Sequence, residues 1–369
     1  MLAERIAAGD FPSAVYLVAE GASVLFADAL GHAVLEPERR AATLETIYDL
    51  ASLTKPLVTG MLCAQLVERG KLDLEKAVAS YLPEFDVDDK RAITLRQLLT
   101  HTAGLVAWLP LYALAGERGR VLEMIARRPL EYSPGSRVVY SDLGFITLGF
   151  LLERVAGASL AVLARERIFA PLELKHTFFN PERAVQTGVA ACELGNAYER
   201  EMCGEEAAAS YTGWRDYLIW GEVHDGNAHF LGGAAGHAGL FSTARETLKL
   251  AQQFLPRRSQ LLAPETCALF RTNMTAGLEE ARSFAWQLAA TKDSTAGPRL
   301  PPDSFGHLGF TGTSCWTAPE EERVFILLTN RTHARTRPFV NINSTRRKFH
   351  TLAWDALDAR SHAADNVVV

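Results

Sequence analysis

A serine and a lysine three residues apart, Ser52 and Lys55 in Ala-Ser-Leu-Thr-Lys-Pro (51–56), are the residues of this sequence best suited to chemistry. Lys55 is the only charged residue between Asp49 and Glu68. Residues three apart lie on one face of a helix, so the hydroxyl and the amine are expected to meet. Burial disfavours a charged amine, which predicts a lowered pKa for Lys55 and a base that takes the serine proton. The alternative is a helix N-cap serine followed by an unrelated lysine.

A second group, Tyr140-Ser141-Asp142, comes directly before an apolar segment that is expected to be helical. The Lys55 ammonium would favour the phenolate form of a nearby tyrosine, so Tyr140 could carry a proton to a leaving group. The same residues also have ordinary explanations, because Asp142 suits a helix N-cap and Tyr140 suits a hydrophobic core. The triplet alone does not decide between these interpretations.

A third group is the glycine-rich segment from Phe305 to Thr313, just before two strands near the C-terminus. Glycine lets the backbone of an edge strand come close to a substrate. His307 would then face the cleft with a switchable charge. The backbone N–H groups of Phe310 and Ser52 could form an oxyanion hole. The alternative is a turn that leads into a strand.

The composition of the 369-residue chain argues against several classes of function. A net charge of −5 gives no reason to expect nucleic acid or an anionic membrane as a partner. The five cysteines include no Cys-x-x-Cys pair, which indicates neither a disulfide framework nor a zinc site. His224, Asp225, His229 and His237 fit no helical metal motif, and His101 suits a structural hydrogen bond. We therefore expect no metal and no cofactor.

Neither a targeting signal nor a membrane span is indicated. The N-terminus lacks a basic start followed by a long apolar run, and no stretch reaches about 18 uninterrupted apolar residues. We expect a cytoplasmic protein, or a periplasmic one if a signal peptide has been removed. The basic stretch from Arg331 to Lys348 lacks interleaved aromatic residues and is expected to be a solvated rim beside the site. A small molecule is the expected partner, and the oligomeric state stays open.

The remaining sequence predicts the elements that hold these groups. Strands are predicted at both ends of the chain, at 13–19, 23–30, 313–318 and 323–329. Helices are predicted at 53–69, 94–100, 121–127, 143–156, 160–168, from the capping box Thr243-Ala-Arg-Glu246 to about Phe254, and at 346–358. Residues 184–235 read as an irregular, lid-like excursion, in which Trp214, Tyr217 and Trp220 either line a pocket or belong to the core.

Strands at both ends must pair in one sheet, with the helical middle inserted between them. The prediction is an α+β fold, in which an antiparallel sheet of N- and C-terminal strands is flanked by helices. A mainly helical subdomain is inserted at about 71–235 of a single catalytic domain over 1–369. The cleft between the two parts is the expected site.

Together the three groups resemble the motifs of the serine beta-lactamase and penicillin-binding-protein family, including its class C-like esterases and peptidases. Ser52-x-x-Lys55 is similar to the first family motif, Tyr140-Ser141-Asp142 to the second and His307-Leu-Gly309 to the third. Further similar segments are Leu98–Leu105, Pro134-Gly135 and Gly236–Thr243. Their order and spacing agree with the family from roughly residue 10 to 355.

The resemblance implies an acyl-serine hydrolase that uses Ser52 as nucleophile and Lys55 and Tyr140 as proton carriers. It also implies that Asp142, His307 and Gly309 contact substrate.

Two departures from the family pattern bear on the substrate. Many members have asparagine in place of Asp142 and a lysine in place of His307, and that lysine helps to hold a substrate carboxylate. A mostly uncharged histidine beside an acidic residue favours a neutral ester or amide instead. A shifted register, with Phe310-Thr-Gly312 on the third motif, stays open.

The favoured function is therefore an esterase-like acyl-serine hydrolase acting on an ester or amide. A beta-lactamase or D-Ala-D-Ala carboxypeptidase is the first alternative. A non-catalytic, penicillin-binding-like sensing module that keeps the fold is the second.

Overall fold

The computed structural model describes residues 1–333 and 337–365, and its centre is a seven-stranded antiparallel sheet. The strand order in this sheet is β3-β2-β1-β10-β9-β8-β7, and a second sheet has the order β4-β6-β5. The strands are β1 Ser13–Glu20, β2 Ser23–Val34, β3 Arg40–Ala41, β4 Tyr48–Asp49, β5 Phe178–Phe179, β6 Leu240–Ser242, β7 Gln287–Leu288, β8 Phe305–Leu308, β9 Ser314–Ala318 and β10 Arg323–Thr329.

The pairing of β1 with β10 joins the two ends of the chain at the middle of the sheet, with Leu17 opposite Ile326. Every residue of β10 is buried. Because side chains alternate along a strand, Ile326 packs into the main core, whereas Phe325 packs on the opposite face of the sheet. Trp354 of the C-terminal helix stacks on Phe325 there, with ring centroids 6.0 Å apart. The sheet is thus covered on both faces.

Between β4 and β6 the chain is mainly helical, and further helices follow β6. The α-helices are α1 Leu2–Ala7, α2 Met61–Glu68, α3 Leu95–Leu99, α4 Leu111–Leu114, α5 Val121–Arg127, α6 Asp142–Ala156, α7 Leu160–Ala164, α8 Ala197–Met202, α9 Glu205–Ser210, α10 Gly226–Phe230, α11 Ala244–Gln252, α12 Pro264–Cys267 and α13 Asn343–Asp365. Short 3-10 helices cover Ala51–Leu53, Val78–Ser80, Pro83–Phe85, Arg118–Arg120, Arg183–Gly188, Ala268–Phe270 and Arg331–His333, and π-helical turns cover Lys55–Gly60 and Arg165–Phe169.

No single helix in the described ranges is long and apolar enough to cross a membrane. The helical segments Asp142–Ala156 and Leu160–Phe169, which meet at a bend of 76°, reach that length and composition only as a pair.

The α+β prediction is confirmed, and so are the strands predicted at both ends. The prediction of one continuous α-helix at 53–69 is wrong, because a 3-10 turn, a π-helical turn and an α-helix follow one another there. The irregular segment predicted at 184–235 contains α8, α9 and α10. The last helix is longer than the predicted 346–358.

The predicted capping box at the start of α11 is half present. Thr243 accepts a hydrogen bond from the Glu246 N–H at 3.2 Å. The Glu246 carboxylate accepts from the backbone N–H groups of Lys175 and His176. The capping-box pattern predicted that this carboxylate would accept from the backbone at the start of its own helix. It instead accepts hydrogen bonds from a segment about 70 residues earlier in the chain.

Tight packing of β8 on β9 depends on Gly306, since a Cβ there would overlap the Trp316 ring. We expect Gly306→Ala to lower the free energy of unfolding by about 1–3 kcal/mol, the usual cost of overpacking a core. Gly119→Ala is the matched control, because nothing lies within 4 Å of its Cβ position. Urea unfolding measures both variants, and equal stability of the two would contradict this account of the packing.

Candidate active site

The hydroxyl of Ser52 and the ammonium of Lys55 contact each other in the folded chain, with Oγ and Nζ 2.9 Å apart. Ser52 belongs to a 3-10 turn, in which side chains three apart are nearly eclipsed, and this turn brings the two groups together. The Lys55 side chain has 0% exposure. The meeting of these side chains that the sequence predicted is therefore present.

The turn that carries Ser52 is held by the buried carboxylate of Asp49. Ala51 has φ of 49°, a conformation that non-glycine residues seldom adopt, so it requires support. Asp49 Oδ1 accepts the Ala51 N–H at 2.8 Å, and Oδ2 accepts the His224 N–H at 2.8 Å. Sequence reasoning missed Asp49, although a carboxylate two residues before a turn is a known turn-forming signal.

Two more oxygen atoms surround the Lys55 ammonium. Asp142 Oδ1, at the start of α6, lies 2.7 Å from Nζ. The carbonyl of His237 accepts a hydrogen bond from Nζ at 3.1 Å. Burial acts to lower the pKa of Lys55, but Asp142 and Tyr140 raise it and prevail. The predicted lowering of this pKa is therefore wrong, and Lys55 is a cation at neutral pH.

Tyr140 lies beside the same ammonium, with its ring centroid 4.8 Å from Nζ. Burial raises the pKa of the phenol, and Asp142 adds to this effect. Lys55 and Ser52 act in the opposite direction but do not prevail. The predicted preference for phenolate is therefore wrong, and Tyr140 holds its proton at neutral pH.

The third group reaches the site through β8 and the turn after it. His307 is buried, and its Nδ1 donates to the Leu308 carbonyl at 2.8 Å, which leaves Nε2 as the acceptor of a neutral ring. Burial, followed by the charges of Lys55 and Arg282, holds the pKa of His307 well below its usual range. The uncharged state expected of this histidine follows from its surroundings.

Gly309 is needed for the close packing of its segment against Leu50 and Thr313. A Cβ at Gly309 would lie 2.5 Å from the Leu50 carbonyl oxygen and would overlap the Thr313 hydroxyl. The glycine therefore lets β8 approach the turn that carries Ser52.

Two arginines of the basic stretch are built into the site. Arg331 donates to the Phe310 carbonyl through Nε and Nη2, and Arg346 donates through Nη2 to the carbonyls of Gly309 and Thr313. Neither has a carboxylate oxygen within 4.0 Å among residues 1–333 and 337–360. Burial, helped by Arg331, lowers the pKa of Arg346 to about 9. A solvated rim is thus wrong for these two residues, and Arg335 lies outside the described residues.

A cavity of about 520 Å³ opens beside Ser52. Side chains of Tyr140, Asp142 and His307 line it, as the sequence predicted for a common site. Its other lining residues include Trp108, Tyr198, Glu199, His224, Asp225, Arg282, Gln287, Phe310, Arg331 and Arg346. Trp214, Tyr217 and Trp220 are absent from its wall, and Trp214 and Trp220 donate their ring N–H groups to backbone carbonyls elsewhere.

The clustered histidines are separate pairs. His224 contacts Glu193 at 3.0 Å, and His237 contacts Asp225 at 2.9 Å. No group of His, Cys, Asp and Glu in the described ranges is arranged to hold a metal ion.

His101 is the structural residue that the sequence predicted. Its Nδ1 accepts the Ser141 N–H at 3.1 Å, and its ring packs 4.5 Å from that of Tyr140. His101 thus fixes the position of the second motif.

The family model for beta-lactamase matches residues 1–344. The chain belongs to the beta-lactamase family. This confirms the resemblance inferred from the three motifs, and the membership makes the protein a serine hydrolase.

Relatives within this family carry different names. The chain is 34% identical to a putative D-alanyl-D-alanine carboxypeptidase of Escherichia coli (strain K12), over 88% of this chain and 79% of that one. It is 32% identical to an N-acetylmuramyl-L-alanine amidase of Bacillus subtilis (strain 168), over 90% and 80%. The solved structure of EstCE1, a hydrolase with promiscuous acyltransferase activity, matches with a TM-score of 0.72 at 24% identity, over 94% and 95%. The last match shows a shared fold.

The charge state of His307 is directly measurable. We expect the ring to stay neutral, with its proton on Nδ1, as the pH falls through 6.5 in ¹⁵N NMR spectra, because burial and the charges of Lys55 and Arg282 disfavour the charged ring. His307→Gln, which removes the signal, assigns it. A titration midpoint near pH 6.5 would contradict the electrostatic description of the site.

Proposed function

We propose that this protein is an acyl-serine hydrolase that cleaves an ester or amide with Ser52, Lys55 and Tyr140. The observation that carries the proposal is the 2.9 Å contact between Ser52 Oγ and Lys55 Nζ inside a cavity. The Ser52 oxygen attacks the carbonyl while its proton moves to Lys55 Nζ. Lys55 is charged at neutral pH, and only enzyme molecules in which it has lost its proton can accept the serine proton. The rate of acylation therefore rises with pH.

Tyr140 supplies the proton for the leaving group. Its hydroxyl remains protonated at neutral pH and lies beside both Lys55 and Ser52. As the C–O or C–N bond of the tetrahedral intermediate breaks, the phenol gives its proton to the departing atom and regains one from the Lys55 ammonium. Water then attacks the acyl-serine ester by the same route and releases the acid.

The negative oxygen of the intermediate is assigned to the backbone N–H groups of Ser52 and Phe310. Arg346 holds the Gly309 carbonyl at 2.7 Å. In a trans peptide the C=O and the next N–H point in opposite directions, so this hydrogen bond orients the Phe310 N–H. Arg331 holds the following carbonyl, that of Phe310.

The state of His307 supports an esterase-like preference. Because His307 Nδ1 donates to the Leu308 carbonyl, the neutral ring presents a lone pair on Nε2, and a lone pair does not bind a carboxylate. We propose that the substrate carries no carboxylate next to the bond that is cleaved.

Arg331 and Arg346 favour a second candidate, a beta-lactamase or D-Ala-D-Ala carboxypeptidase. Both keep a positive charge beside Phe310 with no carboxylate partner in the described residues, and such a charge attracts an anionic substrate. The name of the Escherichia coli relative supports the same candidate. Comparison of substrates separates the two.

Covalent labelling tests the nucleophile. A fluorophosphonate should add one label to the wild type and none to Ser52→Ala in intact-mass spectrometry, because Lys55 Nζ lies 2.9 Å from the Ser52 hydroxyl and activates it. Ser136→Ala, a change in an exposed turn, is the matched control and should label fully. Labelling of Ser52→Ala, or none of the wild type, would exclude the mechanism, and the latter outcome would favour a sensing module.

Substrate preference is tested with a neutral short-chain ester, a penicillin and a peptidyl-D-alanine mimic. We expect the highest kcat/KM with the ester. His307→Lys should shift preference towards the two anionic substrates by roughly 10-fold or more, the effect of one charge-assisted contact of about 1.5–3 kcal/mol. Asp142 is left intact because it pairs with Lys55. Efficient hydrolysis of penicillin by the wild type would instead support the second candidate.

A further inference from the structure

Glu199 is a buried acid on the cavity wall that the proposed mechanism does not use. It lies in α8 and is 7% exposed. Its Oε1 accepts the Gly226 N–H at 2.7 Å, whereas Oε2 makes no hydrogen bond of normal geometry with the described residues. A buried carboxyl oxygen without a partner is costly unless something supplies a donor. The cavity is the place from which a ligand can supply it.

No cationic side chain of the described residues forms a direct ion pair with this carboxyl. Asp225 is a second acid on the same wall, and the other groups that face Glu199 are Tyr112, Cys203, Tyr211 and His224. The Tyr112 hydroxyl acts on the Glu199 carboxyl and also contacts Cys203 Sγ at 3.2 Å. Arg215 is close enough to act on Glu199, but its donors go to Asn196 and to the carbonyls of Val223 and His224.

Burial, followed by repulsion from Asp225, raises the pKa of Glu199 to about 7. The His237 ring already contacts Asp225 at 2.9 Å. A bound cation would relieve the repulsion between the two acids.

Glu199 and Asp225 lie on the side of the cavity near Phe310, whose N–H is assigned to the oxygen of the substrate carbonyl. His224 stacks on Phe310 with ring centroids 5.6 Å apart, and Tyr198 packs 4.8 Å from the same ring. A leaving group must instead reach Tyr140, over whose ring Arg282 lies at 5.7 Å. Glu199 is therefore placed to meet the acyl part of a substrate.

We propose that Glu199 and Asp225 form a subsite that binds a primary ammonium group carried by the acyl part of the substrate. The ammonium donates to Glu199 Oε2 and compensates the charge of that carboxylate beside Asp225. This inference rests on the proposed acyl-serine chemistry and adds a substrate class to it. The uncharged ring of His307 would face the leaving group.

The test uses matched pairs of p-nitrophenyl esters: 4-aminobutyrate with butyrate, and 6-aminohexanoate with hexanoate. For at least one pair we expect the wild type to prefer the ammonium ester. Glu199→Gln should reduce that ratio of kcat/KM values by about tenfold or more, mainly through KM, because the amide keeps the shape but not the charge. Glu201→Gln, an exposed acid of the same helix, should leave the ratio within about twofold.

A second measurement needs no variant. The wild-type preference for the ammonium ester should increase as the pH rises through about 7, because Glu199 loses its proton there and attracts the cation. The ratio is used because the chemistry common to both esters cancels. An equal rate for both esters of each pair, or a ratio independent of pH and of Glu199, would overturn the subsite.

The two proposals fail in different ways. If esters are hydrolysed and Ser52 is labelled without any preference for ammonium, the subsite is wrong and the hydrolase stands. If no ester is hydrolysed, calorimetry with 6-aminohexanamide still decides the subsite. Binding that Glu199→Gln weakens tenfold supports it, and absence of binding overturns it.

Discussion

The ammonium of Lys55 is a charge with no access to solvent, and the architecture of the site follows from that constraint. Removing a charge from water costs several kcal/mol unless oxygen atoms replace its hydration. Here the oxygens come from Ser52, from Asp142 at the start of α6, and from the carbonyl of His237. The site is therefore complete only when the turn that carries Ser52, α6 and the loop before β6 have all docked.

Close backbone packing makes this docking possible. Gly236 lies against the Phe145 carbonyl and Gly149 of α6, where a side chain would overlap the helix. On the other side, Gly309 brings β8 against the turn that carries Ser52. Glycines at these two contacts thus allow the three motifs to converge.

Much of this could be predicted from sequence because the signals are local. Ser52 and Lys55 meet through a spacing of three residues, and the strands at the chain ends follow from their apolar pattern. The direction of the pKa shift of Lys55 could not be predicted, because it depends on Asp142, which is 87 residues away in the chain. The resemblance had assigned Asp142 to substrate binding. The roles of Arg331 and Glu199 escaped for the same reason, because only tertiary contacts bring them to the cavity.

The cavity wall carries two kinds of charge. Arg331 and Arg346 donate to the backbone carbonyls of Phe310 and Gly309, whereas Glu199 and Asp225 accept from the Gly226 N–H and contact His237. His307 and Tyr140, on the same wall, are uncharged at neutral pH. We propose that this pattern connects the packing of the fold with the choice of substrate.

The most direct test of the central claim is the pH dependence of acylation in Asp142→Asn. If Asp142 raises the pKa of Lys55 and neutral Lys55 is the base, its removal lowers that pKa. The rise of the acylation rate with pH, measured by stopped-flow with a neutral fluorophosphonate, should then move to lower pH. Asp216→Asn, a change at an exposed acid, should leave the profile in place. A profile that Asp142→Asn does not move, or moves to higher pH, would contradict the account.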